Sequence, residues 1–198
     1  MSSDPRTLVM VIAGPNGAGK STIAPHLLRD ALGLREFVNA DTIAAGISGF
    51  DPERAAFAAG RLMLARLHHL AEQRQSFAFE TTLASRHFAP WIRELKRGGY
   101  RFELVFLWLP SAEEAIARVQ LRVQAGGHDV PKATIRRRFS RGLGNFLDLY
   151  RGLADQWLLV DNSRPSPTMT VIARGGADQP DVVLDPRAME QVLGSLST

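Results

Sequence analysis

No cysteine occurs anywhere in the 198 residues. Disulfides and thiolate metal sites are therefore excluded, and the composition fits a reducing compartment. A cytoplasmic location is expected. No apolar run approaches the ~20 residues needed to span a bilayer, so no membrane association is expected. The opening stretch MSSDPRTLVMVIAG does not read as a signal peptide, because its short apolar run leads into a glycine-rich loop. Lysine is scarce: Lys20, Lys96 and Lys132 are the only three, and arginine supplies the rest of the basic charge. The net charge of +4 is too mild to imply nucleic-acid binding by itself. Internal repeats and low-complexity tracts are absent. What remains is an ordinary globular composition, 45% hydrophobic and 22% charged. A chain of this length can bury roughly 70% of its unfolded surface in one domain. One domain over residues 1–198 is expected, with a strand and helix extension over 165–198.

Apolar runs predict buried strands at 7–13, 36–39, 77–80, 102–109 and 157–160, with later strands at 168–173 and 181–184. Helical stretches lie between them. The first leaves the glycine loop and runs to about Leu32. A short one follows Asp41, beginning near Thr42. A longer one covers about 52–74, with Asp51 as its cap and Pro52 in its first turn. Others span 87–97, Ser111 to Gly126-Gly127, Pro131 to about Leu153, and 187–195. Strands alternating with helices argue for an α/β fold with a parallel sheet covered on both faces. In such sheets the working residues gather at the C-terminal ends of strands.

The first strand ends in such a place. Gly14-Pro15-Asn16-Gly17-Ala18-Gly19-Lys20-Ser21, followed by Thr22, matches G-x-x-x-x-G-K-[ST] in full. Glycines let backbone N–H groups turn inward around phosphate oxygens, and the helix N-terminus adds positive charge. Lys20 suits the β- and γ-phosphates, and Ser21 suits Mg²⁺. No guanine-recognition N-K-x-D motif is present, so ATP is the expected nucleotide.

Two carboxylates end later strands. Asp41 has three readings: a helix cap, a metal ligand, or a base that takes a proton from a substrate hydroxyl. Glu80 precedes Thr81 and Thr82, a hydroxyl-rich turn suited to a polar ligand. Its bland reading is a solvated strand end. Asp161-Asn162-Ser163 ends the fifth strand, where a loop can border the base of a bound nucleotide, or can be a plain turn.

Residues 118–141, RVQLRVQAGGHDVPKATIRRRFSR, are the basic segment. Arg118 and Arg122 are i and i+4 and share a helix face. Gly126-Gly127-His128 forms a hinge, and Arg136, Arg137, Arg138 and Arg141 follow. Two helices about a hinge fit a lid whose arginines close on a migrating phosphoryl group. A solvated charged face and a nucleic-acid patch are the alternatives. Successive helix positions lie 100° apart, so at most one or two of Arg136, Arg137 and Arg138 can serve one site.

AGPNGAGKST, VNADTIA, FAFETTLAS, GGHDVPKATIRRRF and WLLVDNS fall in the order and spacing of one family. Over about residues 7–163 the chain resembles the zeta-toxin family of phosphoryl transferases. The resemblance implies a P-loop nucleoside/nucleotide-kinase-like three-layer sandwich, with a mostly parallel central sheet and a helical lid. It implies ATP and Mg²⁺ as cofactors, UDP-N-acetylglucosamine as the small-molecule substrate phosphorylated on its sugar 3′-hydroxyl, and an antitoxin protein as partner. On it, Lys20 and Ser21 are the phosphate and Mg²⁺ residues, and Asp41 is the general base. Glu80, with Thr81 and Thr82, matches a substrate-binding turn, and Arg122, or in its place Arg118, falls near a lid arginine that contacts the phosphates. One departure stands out: His128 occupies the place of a second lid arginine before the proline. Two rival readings remain, an ATPase switch without an acceptor and a polynucleotide kinase or nucleic-acid-binding module. Nucleic acid is the weaker partner, because only Phe139 interleaves the arginines for base stacking.

Overall fold

The structure is a computed structural model that describes residues 7–48, 52–164 and 170–196. Its sheet is built from β1 (Leu8–Ala13), β2 (Phe37–Val38), β3 (Phe77–Thr81), β4 (Arg101–Trp108), β5 (Gln156–Asp161), β6 (Thr170–Gly176) and β7 (Gln179–Val183). The spatial order is β2-β3-β1-β4-β5-β6-β7. The first five strands run parallel, while β6 and β7 add an antiparallel edge. The strand expected at 168–173 begins at Thr170, and its first two positions lie outside the described residues.

The helices are α1 (Lys20–Ala24), α2 (Ala40–Ile47), α3 (Pro52–Glu72), α4 (Phe88–Arg97), α5 (Ala112–Gln124), α6 (Lys132–Asn145) and α7 (Pro186–Gly194). α1 continues as a wider π-type turn over Pro25–Ala31, and α6 continues through a similar turn and a tighter one to Leu153. Ser111 caps α5, its Oγ accepting from the Glu114 N–H at 3.1 Å. The expected Asp51 cap of α3 lies outside the described residues.

Strand periodicity divides the core. Val9 and Val11 of β1, with Phe77, Phe79, Phe102, Leu104 and Phe106, pack against Met63, Leu67 and Leu70 of α3 and Ile92 of α4. The alternate residues Leu8, Met10 and Ile12, with Val105 and Leu107, pack against Leu28 and against Ile116 and Val119 of α5. This two-sided burial explains why the parallel strands are apolar almost throughout. The result is a P-loop nucleotide-kinase-like three-layer sandwich with a mostly parallel sheet. α6 is unusual in joining both layers. Ile135 and Phe139 belong to the α5 side, whereas Leu143, Phe146 and Tyr150 belong to the α3 and α4 side. No helix among the described residues is long and apolar enough to cross a membrane.

Candidate active site

Sheet register sets up the site. Ile12, two residues before the loop at Gly14, lies opposite Glu80 on β3, and Val38 of β2 lies opposite Phe79. The glycine loop, Glu80 and the Asn39–Asp41 junction therefore stand side by side at the carboxyl ends of adjacent strands.

The loop folds tightly onto its surroundings. Gly14 has φ +143°, and a Cβ there would lie 2.4 Å from the Leu107 carbonyl oxygen, so only glycine fits. The loop then feeds α1, whose first residues are Lys20 and Ser21. Lys20 is buried and donates through Nζ to the Gly14 carbonyl at 3.0 Å and the Pro15 carbonyl at 2.9 Å. Burial pushes its ammonium below the ordinary lysine range, and the neighbouring Glu80 and Asp41 carboxylates oppose that shift.

Glu80 is engaged by three partners. Its Oε2 accepts from Ser21 Oγ at 2.7 Å and from Asn39 Nδ2 at 2.8 Å, and its Oε1 lies 3.7 Å from Lys20 Nζ. Glu80 is thus no solvated strand end. The structure sets it against the serine and lysine of the loop, whereas Thr81 and Thr82 lead into the following turn. All three line the same cavity, of about 450 Å³.

Asp41 is not the helix cap. α2 starts at Ala40, two residues earlier than the sequence suggests, and Asn39 caps it. The Asn39 Oδ1 accepts from the Asp41 N–H at 2.7 Å and the Thr42 N–H at 3.2 Å. Relieved of that task, Asp41 is exposed in the first turn of α2 and lines the cavity with Lys20, Ser21 and Glu80.

The arginines separate sharply. Arg118 lines the cavity but is committed to the protein: Nη1 donates to the Asn162 carbonyl at 2.7 Å, and Nη2 to the Ser163 carbonyl at 2.6 Å. Its Nη2 also pairs with Glu114 at 2.7 Å. Arg122 lines the cavity, spending one Nη2 hydrogen bond on the His128 carbonyl at 2.6 Å and keeping a buried Nε without a partner among the described residues. Arg136 pairs with Glu113 at the surface, and Arg137 is exposed. Arg138 alone of the three consecutive arginines lines the cavity, where its Nη1 donates to Asn16 Oδ1 at 3.4 Å. Burial pushes the Arg138 guanidinium down from its usual value, against the pull of Asp41.

Asn162 meets the loop from behind. Its Nδ2 donates to the Ala18 carbonyl at 2.7 Å, and its N–H donates to the Trp108 carbonyl at 3.1 Å. That position supports the loop's shape; Asn162 is absent from the cavity wall, unlike Asn16, Gly17, Gly19 and Thr22. Four cavity residues, Asn39, Ala40, Met63 and Phe88, carry no assigned role in the sequence reading. Asn39 carried a signal in its place before Ala-Asp-Thr, a spacing suited to an Asn cap. Met63 and Phe88 form an apolar wall, and nothing local separates them from core residues.

A strand, a glycine loop and a helix with an acid against its serine define a P-loop domain, and the sheet order makes it kinase-like. The chain belongs to the AAA domain family AAA_33, whose model matches residues 9–141. An uncharacterized protein of Haemophilus influenzae (strain ATCC 51907 / DSM 11121 / KW20 / Rd) is 29% identical over 126 residues, covering 64% of this chain and 88% of that protein. Among solved structures, AvrRxo1-ORF1:AvrRxo1-ORF2 with sulphate ions matches with TM-score 0.76 and 15% identity, over 94% of this chain and 63% of that one. The same pair has been solved with ATP. This chain therefore spans less than two thirds of the length of that relative. The PezAT chromosomal toxin–antitoxin system of Streptococcus pneumoniae matches with TM-score 0.59 and 16% identity, over 85% and 73% of the two chains. At these identities the likeness is one of fold.

Proposed function

We propose that the protein is an ATP- and Mg²⁺-dependent kinase of the zeta-toxin type. It transfers the γ-phosphoryl group to a hydroxyl of a small molecule, with UDP-N-acetylglucosamine as first candidate. The observation that carries this reading is one cavity holding two kinds of carboxylate. Glu80 is bonded to the phosphate-loop serine, while Asp41 is exposed and relieved of capping. A plain ATPase switch needs only the first kind. The five motif segments and the fold shared with a toxin–antitoxin structure support the zeta-toxin branch. By the same analogy an antitoxin is proposed as protein partner.

The metal fits the donors present. Among the described residues there is no group of three or more His, Asp or Glu that could hold a metal. Magnesium at phosphate sites commonly takes one or two protein oxygens and completes its shell with phosphates and water. Ser21 Oγ and the Glu80 carboxylate, 2.7 Å apart, are hard oxygen donors of that kind. When bound there, Mg²⁺ would neutralise charge on the β- and γ-phosphates.

The chain's own residues supply the rest. Loop N–H groups and Lys20 hold the phosphates. Asp41 takes the acceptor's hydroxyl proton as its oxygen bonds to the γ-phosphorus. The bond from that phosphorus to the β–γ bridging oxygen breaks, and ADP leaves. Arg122 offsets charge on the migrating group.

The test is mass spectrometry of ATP, Mg²⁺ and UDP-N-acetylglucosamine incubated with the protein. The expected product is the nucleotide sugar carrying one added phosphoryl group. ADP and inorganic phosphate alone, with that sugar and with a cell metabolite extract, would overturn the kinase reading in favour of an ATPase.

A pH effect follows from Lys20. Only its charged form attracts phosphates, and burial lowers the pKa at which that charge is lost. ATP affinity should therefore weaken as pH rises, with the loss setting in below the 10.5 of an ordinary lysine. Titration calorimetry across the alkaline range checks this. Lys20→Arg, whose charge persists, should show no such limb at its own lower affinity.

A further inference from the structure

α6 crosses the carboxyl ends of the strands and is fastened at its far end to the turn after β3. A Cβ on Gly142 would lie 2.3 Å from the Thr82 carbonyl oxygen. Asn145 donates to the Leu83 carbonyl at 2.7 Å and accepts from Arg86 Nε at 2.9 Å, and Tyr150 donates to the Ser85 carbonyl at 2.9 Å. The turn so gripped is strained: Leu83 is buried with φ +53°, a left-handed conformation rare for a bulky side chain. Such strain persists only where the surroundings over-determine it. About one turn before Gly142, the same helix brings Arg138 to Asn16 in the phosphate loop.

The geometry points to Arg138 as the second guanidinium on the transferred phosphoryl group. α6 then acts as a strut that ties γ-phosphate recognition to the Thr81–Leu83 turn. This inference rests on the phosphoryl-transfer reading above. Arg118 also lines the cavity, but its guanidinium is spent on two carbonyls and Glu114. Arg136 is paired away from the cavity, and Arg137 faces solvent. Arg138 instead lies half-buried at the cavity wall, holding, among the described residues, one long hydrogen bond to a neutral amide oxygen. Half-buried, with a long bond to an amide and the Asp41 carboxylate as the opposing charge nearby, the guanidinium is placed to take an anion. Its neighbour Asn16 belongs to the loop that surrounds the phosphates, so the anion within reach is the outer phosphate. Its guanidinium would bind two phosphoryl oxygens at once, as a lysine cannot.

Titration calorimetry with Mg²⁺ and either a non-hydrolysable ATP analogue or ADP tests this on the full chain. Arg138→Gln is expected to weaken the ATP analogue by about tenfold or more, from loss of charge-assisted hydrogen bonds, and ADP by less than about threefold. Arg138→Lys should recover only part of that loss, and Arg137→Gln should bind both nucleotides as the wild type does. Equal weakening of analogue and ADP by both Arg138 variants would make Arg138 a structural support and overturn the inference. So would analogue binding unchanged from wild type. Failure of the wild-type protein to bind either nucleotide would instead sink the phosphoryl-transfer reading, and this inference with it.

Discussion

Asp41→Asn should form phosphorylated product about 10³-fold more slowly than the wild type, the middle of the range for loss of a positioned general base. ATP affinity should change by less than about threefold, because Asp41 holds none of the loop's hydrogen bonds and removing an anion near phosphates is favourable. The fold should survive. Asn39 caps α2, so the substitution removes only a helix-dipole contribution of about 0.3–1 kcal/mol in the first turn. Quenched-flow assay of product, with calorimetric ATP binding on the same sample, separates these effects. Product formation within tenfold of wild type would remove Asp41 from the role of base and turn attention to Glu80. Glu80 is the poorer base, because it already accepts from Ser21 and Asn39 and lies beside Lys20.

How far the site was legible follows from how local each signal is. The phosphate loop needs only contiguous residues and the strand and helix that flank it, and its full motif sits between β1 and α1. Strand-end carboxylates were also accessible, because parallel sheets gather function at those ends. The role of Asp41 was not, since both Asn39 and Asp41 are good caps and only the structure shows Asn39 accepting both N–H groups. The arginines were the least legible. Arg118 and Arg122 share a helix face and both line the cavity, yet Arg118 is committed to the Asn162–Ser163 carbonyls and Glu114, while Arg122 keeps its Nε without a partner among the described residues. Which of three consecutive arginines turns inward depends on how α6 lies across the sheet, and Ile135, Phe139 and Leu143 fix that by packing into two different layers. The antiparallel direction of β6 and β7 was equally hidden, because an apolar run carries no strand direction.

Gly142→Ala should unfold the protein at markedly lower temperature, although the helix rule says the opposite. In a helix interior alanine is favoured over glycine by about 1 kcal/mol. Here the added Cβ would meet the Thr82 carbonyl oxygen at 2.3 Å, and that atom is backbone, so no rotamer change relieves it. Overpacking of this kind costs about 1–3 kcal/mol, occasionally more, and a backbone clash belongs at the upper end. The net expectation is a loss of about 2 kcal/mol, or roughly 4–8 °C in Tm for a chain of this size. Gly144, two residues on in the same helix, provides the control. A Cβ there meets nothing within 4 Å among the described residues, so Gly144→Ala should raise Tm by a few degrees through propensity alone. Differential scanning calorimetry of both variants decides between the two effects. An unchanged or raised Tm for Gly142→Ala would mean that α6 is not held against the Thr82 turn. With the expected fall, folded Gly142→Ala protein should also lose turnover at temperatures well below its Tm. The strand end that carries Glu80 and Thr81 leads into that turn, and any shift forced on Thr82 reaches the cavity within one residue.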